Sequence, residues 1–389
     1  MSLSAVTVIT TSRCNQRCSY CCVTGRPPAS PRWPAVRVAL DALLASPVNR
    51  VKVAFTGGEP LLARPLVART IRYVEAHRRP GQSVRYKLLT NGLLLDGRTL
   101  AWLRRHAVEL RISLDGAQRA QEFRSAGTFD ALDRLLRRLR QRSPDYFGSH
   151  VGVAVTLAQE TVPLLSESVS YLIESGVASI RIGAAMDLPE RGRDPFRALD
   201  RQFAKIFEMS LAHYRRTGIV AVTAFRNPFP FPVRRVASPW VCGAPLGEHL
   251  VVDVDGHGSS CVLATRTYAD GRRLTPPVRA AAAALRTGPV DERLEAGLRH
   301  ISVAAAATRI FASGTARRTA RRLCRSCEVV DECVVCPLTT DGGSGSGRSV
   351  RVPALQCALN RVVAKYRARF PFQPPKVRAV PGLEAEIAP

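Results

Sequence analysis

Between Ala5 and Met186, short apolar runs alternate regularly with longer amphipathic segments, and this alternation restricts the fold more than any other feature. The runs Val6–Thr10, Val51–Phe55, Val84–Leu89, Glu109–Leu114, Val151–Leu157 and Ser179–Gly183 read as strands. Helical spacing is read at Ala35–Ala45, Pro65–Arg78, Gly97–Arg105, Phe129–Arg142 and Pro163–Ser175, and again at Phe196–Thr217. In the fourth of these, Leu132, Leu135, Leu136 and Leu139 fall at i, i+3, i+4 and i+7, with Thr128 placed to cap the helix. Strand–helix–strand units force parallel pairing through right-handed crossovers, so an α/β fold with an all-parallel sheet is expected. A closed eight-unit barrel needs two units more than these six. In either case the functional residues belong on the loops that follow the strands.

The first such loop carries Cys14, Cys18 and Cys21, a C-x3-C-x2-C spacing. Three thiolates so spaced can hold three irons of a [4Fe-4S] cluster and leave the fourth iron open, whereas zinc sites usually take paired C-x2-C ligands. Cys22 lies off the pattern. The second strand is followed by Thr56-Gly57-Gly58-Glu59-Pro60, where two glycines permit close backbone approach and a carboxylate suits an ammonium group. Thr90-Asn91-Gly92 follows the third strand and Ser113-Leu114-Asp115-Gly116 the fourth.

The other seven cysteines fall between Cys242 and Cys357. Cys242 and Cys261 flank Leu250–Gly256, which reads as a strand entering an Asp-Gly hairpin turn. Cys324, Cys327, Cys333 and Cys336 follow as C-x2-C-x5-C-x2-C, a spacing open to a zinc knuckle as well as to iron–sulfur ligation, and Cys357 stands alone. Clustered thiols, eleven in number, point to metal or redox chemistry in a cytoplasmic protein rather than to disulfides. No apolar run approaches a membrane span, and no secretion signal precedes the first strand. Asn227–Pro232 is read as a linker leaving the barrel. Val278–Arg322 is read as helical with breaks at Gly288-Pro289 and near Gly314, Asp341–Gly347 as a flexible loop, and the end as a Pro-containing tail. The resulting division is 1–235, 236–370 and 371–389. A net charge of +26, carried with only five lysines, favours an acidic partner.

Together the three-cysteine loop, the GGEP turn and the C-terminal cysteines resemble the radical S-adenosylmethionine (SAM) superfamily with its SPASM extension of two auxiliary [4Fe-4S] clusters. The resemblance implies a partial (β/α)6 TIM-type barrel followed by a small, loop-rich iron–sulfur domain. It implies that Cys14, Cys18 and Cys21 hold the cluster whose open iron SAM chelates, and that Tyr20 packs near the adenine. Gly57, Gly58, Glu59 and Pro60 would meet the SAM amino group, Asn91 and Ser113 its ribose and carboxylate, and Arg124 or Arg134 the carboxylate. The first auxiliary cluster would take Cys242, Cys261 and Cys336, with Glu248 or His249 considered for its open iron. The second would take Cys324, Cys327, Cys333 and Cys357. One spacing departs from the family: two residues rather than three precede Cys336.

The implied activity is reductive cleavage of SAM to a 5′-deoxyadenosyl radical, hydrogen abstraction, and oxidation or cross-linking of a ribosomal peptide. The same chemistry on a sugar or amino-acid derivative is the alternative. Sulfatase maturation is disfavoured, because Val262 stands where that family has an acidic residue after the second SPASM cysteine. A metal-containing nucleic-acid binder fits the arginines but not the GGEP turn. Expected partners are a flavodoxin- or ferredoxin-type electron donor and, for a peptide substrate, a separate leader-peptide-binding protein.

Overall fold

Six parallel strands form in the order in which they occur in the chain, each joined to the next by helical crossovers. The computed structural model describes residues 3–23, 27–186, 194–226, 244–270, 272, 274–294, 296–298, 327–329, 333, 336–339, 341–342 and 350–372. The barrel half runs β1 (Ala5–Thr11), α1 (Trp33–Ala45), β2 (Arg50–Gly57), α2 (Arg64–His77), β3 (Ser83–Thr90), α3 (Gly97–Arg105) and β4 (Glu109–Ser113). It continues through α4 (Gln118–Arg124), α5 (Phe129–Arg142), α6 (Pro144–His150), β5 (Val151–Leu157), α7 (Leu165–Glu174), β6 (Ile180–Ala184) and α8 (Phe196–Thr217). All six expected strands form, and the expected helices match within a few residues. The short helices α4 and α6 were not anticipated, because seven residues give too few turns for a periodic signal. Thr128 does precede α5, but its hydroxyl donates to the Ser125 carbonyl at 2.7 Å and accepts from Gln121 Nε2 at 2.8 Å instead of capping the helix.

Strand alternation separates two faces. Val53 and Phe55 on β2, Tyr86 and Leu88 on β3 and Leu110 and Ile112 on β4 are buried in the core beneath the helices. The Tyr86 hydroxyl reaches Glu75 on α2 at 2.7 Å, which fixes the direction of that face. The intervening residues, Lys52, Arg85, Lys87, Glu109, Arg111 and Arg181, therefore point into the barrel lumen. Their strand registers agree, with Lys52 opposite Arg85 and Lys87 opposite Glu109.

The C-terminal half comprises β7 (His249–Val252), β8 (His257–Ser259), α9 (Arg266–Ala269), α10 (Pro276–Ala284), β9 (Arg286–Pro289), β10 (Asp341–Gly342), β11 (Val350–Arg351) and α11 (Ala354–Arg367). The hairpin read around the Asp-Gly turn is present as β7–β8, with Gly256 at φ +80°. β7 pairs in parallel with β1, so nine described strands make one sheet in the order β6-β5-β4-β3-β2-β1-β7-β8-β9. Of the helical region expected over Val278–Arg322, α10 ends at Ala284 and Arg286–Pro289 is strand β9, whose pairing with β8 satisfies backbone groups that a helix broken at Gly288-Pro289 would leave open, while residues 299–322 lie outside the described residues.

α11 packs on α8 through an aromatic cluster. Tyr366 lies 6.4 Å from Phe203, Phe370 lies 5.9 Å from Phe207 and stacks at 4.9 Å on Phe225, and Lys365 pairs with Asp200 at 2.7 Å. Among the described residues no helix is long and apolar enough to cross a membrane. The Asn227–Pro232 linker, Cys242, Cys324, the loop 343–347 and the tail beyond 372 lie outside the described residues.

Candidate active site

The chain leaves β1 at Thr11 and immediately hydrogen-bonds to the end of β2: Gly58 N–H donates to Thr11 O and Glu59 N–H to Arg13 O, both at 2.8 Å. A Cβ on Gly57 would sit 2.3 Å from Thr11 O, and one on Gly58 only 2.1 Å from Arg13 O. The two glycines thus bring the GGEP turn against the backbone of the cysteine loop, since any side chain would force them apart.

Cys14 is exposed and Cys18 and Cys21 are half-buried. Burial raises the thiols of Cys14 and Cys18 above their ordinary range, and each is raised further by the charges of its neighbouring cysteines. Backbone N–H groups of Gln16 and Val23 point at the sulfurs of Cys14 and Cys21, each at 3.4 Å. N–H donors aimed at sulfur are what a cluster-bound thiolate requires. Among the described residues no three His, Cys, Asp or Glu side chains converge on a single ion. A cubane does not ask for that, since each thiolate holds a different iron.

Glu59 is fully buried. Its carboxylate accepts from Leu61 N–H at 3.0 Å, the Thr90 hydroxyl at 2.8 Å and Asn91 N–H at 2.7 Å. Burial raises its pKa while these three donors oppose the rise. Pro60 is buried and opens a short 3-10 turn. Asn91 is held at its backbone by Glu59, and its Nδ2 donates to Asn15 Oδ1 at 2.7 Å and lies 3.9 Å from Cys14 Sγ. Ser113 is the half-buried last residue of β4.

A second polar cluster meets the cysteine loop from the other side. Asp115 accepts from the Tyr20 hydroxyl, from Arg124 Nη2 at 2.8 Å and from Thr156 N–H at 2.7 Å. The Arg124 guanidinium lies 5.3 Å from the Tyr20 ring centre, and the Ser19 hydroxyl donates to Phe123 O at 3.0 Å. Burial raises the Tyr20 phenol strongly, and Asp115 holds Arg124 in its charged form. Arg134 is exposed on α5, so of the two arginines weighed for a carboxylate, Arg124 is the one beside this loop. Arg124 Nε and Gln16 Nε2 are buried N–H donors without a partner among the described residues. Unsatisfied donors beside a thiol triad fit a bound anionic ligand. The Ser113–Gly116 run gives Asp115 no role of its own; the Tyr20 hydroxyl, Arg124 from the unforeseen α4 and the Thr156 N–H converge on it only in the fold.

Tyr268 of α9 is a contribution the sequence did not signal. Its hydroxyl lies 3.3 Å from Thr56 Oγ1 and donates to Gly57 O at 3.2 Å, joining the C-terminal half to the GGEP turn. The adjoining Thr267 N–H donates to buried Asp253 at 3.0 Å.

Of the C-terminal thiols, Cys261, Cys327, Cys333, Cys336 and Cys357 are half-buried. Asn360, one turn beyond Cys357 on α11, donates to Cys333 Sγ at 3.3 Å, which places that sulfur against the helix. His249 Nε2 lies 2.8 Å from Thr7 Oγ1 across the β1–β7 pair, and burial lowers its pKa to about 4, keeping the ring neutral.

Comparison with known proteins agrees with this geometry. Residues 8–162 match the Radical SAM superfamily. The chain is 28% identical over 172 residues to an uncharacterised protein of Methanocaldococcus jannaschii, covering 44% of this chain and 58% of that one. It is 28% identical over 336 residues to the GTP 3′,8-cyclase of Mycobacterium ulcerans, covering 77% of this chain and 82% of the relative. Its fold is similar to that of native anSMEcpe with bound AdoMet and Cp18Cys peptide, at TM-score 0.69 and 15% identity over 95% of this chain and 97% of the other. It is similar also to Streptococcus suis SuiB bound to precursor peptide SuiA, at TM-score 0.58 and 13% identity over 91% and 76%. With the thiol triad at the end of β1 and the GGEP turn locked against it, residues 8–162 are a domain of the radical SAM superfamily.

Proposed function

We propose that this radical SAM enzyme abstracts a hydrogen atom from a ribosomal peptide and oxidises or cross-links it, using a C-terminal extension that carries two auxiliary clusters. The observation that carries this reading is the extent of the fold likeness: it runs through the extension as well as the barrel, over 95% of the chain, in a structure that holds a peptide. The GTP 3′,8-cyclase relatives support a second reading, the same radical chemistry on a small metabolite.

Cys14, Cys18 and Cys21 would hold the SAM-binding cluster. When bound, that cluster supplies the electron that splits SAM into methionine and a 5′-deoxyadenosyl radical. This chain's residues bind and aim. The free Nε of Arg124 offers a donor to a carboxylate, and Asp115 keeps that guanidinium oriented. Asn91, Ser113 and the Gly57–Pro60 turn line the same strand ends as Tyr20. Glu59, with three donors already on its carboxylate, acts by fixing Asn91 and the turn, and lends negative charge to an ammonium beside them. Cys242, Cys261 and Cys336 would hold one auxiliary cluster, and Cys324, Cys327, Cys333 and Cys357 the other. An external flavodoxin or ferredoxin would deliver the electron, and a separate leader-binding protein would present the peptide.

Anaerobic reconstitution tests the cluster count: about twelve irons per chain are expected for three cubanes. About four irons accompanied by zinc would remove the auxiliary clusters from the proposal. Replacing Cys14, Cys18 and Cys21 by Ala should abolish 5′-deoxyadenosine formation, whereas Cys333→Ala and Cys357→Ala should lower iron and leave SAM cleavage measurable. A short peptide encoded beside the gene should lose two hydrogens per turnover by mass spectrometry. An unchanged mass alongside turnover of a small metabolite would favour the second reading.

A further inference from the structure

The barrel lumen carries an unusual charge. Only five lysines occur in the chain, and two of them, Lys52 and Lys87, point inward from β2 and β3. Arg85, Arg111, Arg181 and Arg226 join them. A cavity of about 350 Å³ opens among Arg85, Lys87, Arg111 and Arg226, and Glu109 is the one carboxylate among the described residues that line it. That carboxylate is already engaged by Arg85.

The cavity opens at the N-terminal ends of the strands. Its rim is Ser149 and His150 before β5, Ser179 before β6, and Ile219, an exposed apolar side chain. The cysteine loop follows the C-terminal end of β1, so the two sites lie at opposite ends of parallel strands, roughly 15–20 Å apart at about 3.3 Å per residue.

These cations are held together at a cost. Burial first, then the neighbouring positive charges, pushes Lys87 down to about 8 and Arg111 down to about 10. Arg111 is nevertheless built in. Its Nη1 donates to Ser179 O and Ser179 Oγ, both at 3.1 Å, and the opposing residue is Gly152, where a Cβ would fall 2.3 Å from Nη1. Its Nε is buried with no partner among the described residues. A glycine cleared for a guanidinium, and an N–H left over beside an open cavity, are what an oxyanion site needs.

We infer that the lower barrel lumen is a second ligand site, separate from the SAM end, that binds the phosphate group of a small molecule between Lys87, Arg111 and Arg226. A phosphate dianion offsets two cations at once and accepts from several donors, including the Ser179 hydroxyl on the rim, whereas a carboxylate offsets one. The volume is at the small end of ligand cavities, which suits a metabolite rather than a length of peptide. The assignment does not depend on which substrate the radical chemistry serves.

Isothermal titration calorimetry on the reconstituted full chain, without SAM and in phosphate-free buffer, tests it with inorganic phosphate and with ribose 5-phosphate. Saturable one-site binding is expected, weakened about tenfold or more in both Lys87→Gln and Arg226→Gln, since a charge-assisted contact is worth at least that factor. Equal affinity for the two probes would assign the site to free phosphate, and tighter binding of the sugar phosphate to a phosphorylated metabolite. The inference is overturned by no saturable heat with either probe, by unchanged affinity in both variants, or by tri-glutamate binding more tightly than either.

Discussion

Asp115 gathers the Tyr20 hydroxyl, the Arg124 guanidinium and the Thr156 N–H onto one carboxylate that is 1% exposed. Arg124 is 6% exposed, so neutralising Asp115 leaves its positive charge buried without an opposite charge. Asp115→Asn should therefore destabilise the protein by about 3–5 kcal/mol, read by chemical denaturation. A loss below about 1 kcal/mol would show that the charge is met elsewhere. Lys87 is the converse case, a cation that burial penalises. Its folded pKa of about 8 lies below the ordinary 10.5, so at pH 7 the charged form costs stability that returns as pH rises through 8. Lys87→Gln should raise the melting temperature of the anion-free protein at pH 7, and that advantage should shrink between about pH 8 and pH 10. A gain independent of pH would assign the effect to packing. None of this was visible residue by residue, because Asp115, Arg124 and Tyr20 meet only after four strands and a helix have formed.

Individual elements were more legible. The leucines of α5 and the β-branched alternation of β1, β2 and β5 are local signals, and the elements formed where those signals stood. β9 was missed because its four residues acquire meaning only opposite β8. Likewise, Tyr268 has no local pattern, and its role rests on a contact with Gly57 made 211 positions earlier. At this scale the junction of α8 and α11 is the feature to test. Phe203 is fully buried and lies against Phe225 and Tyr366, so Phe203→Ala should cost about 3–5 kcal/mol, read by denaturant unfolding. If α11 is merely laid on the surface, the loss will be close to that of an exposed residue.

For the whole molecule, the described sheet runs without a break from β6 through β1 to β9, so the cysteine-rich C-terminal half joins the barrel through its sheet. The parallel β1–β7 pairing has a consequence for the order in which the chain can mature. β7 follows β1 in the chain by some 240 positions. During synthesis β1 can pair with β2 early, but its other side stays an open edge until β7 has emerged. Open strand edges are templates for self-association. A nascent or truncated barrel half is therefore sticky along the very strand that delivers Cys14, and arrival of β7 ends that exposure.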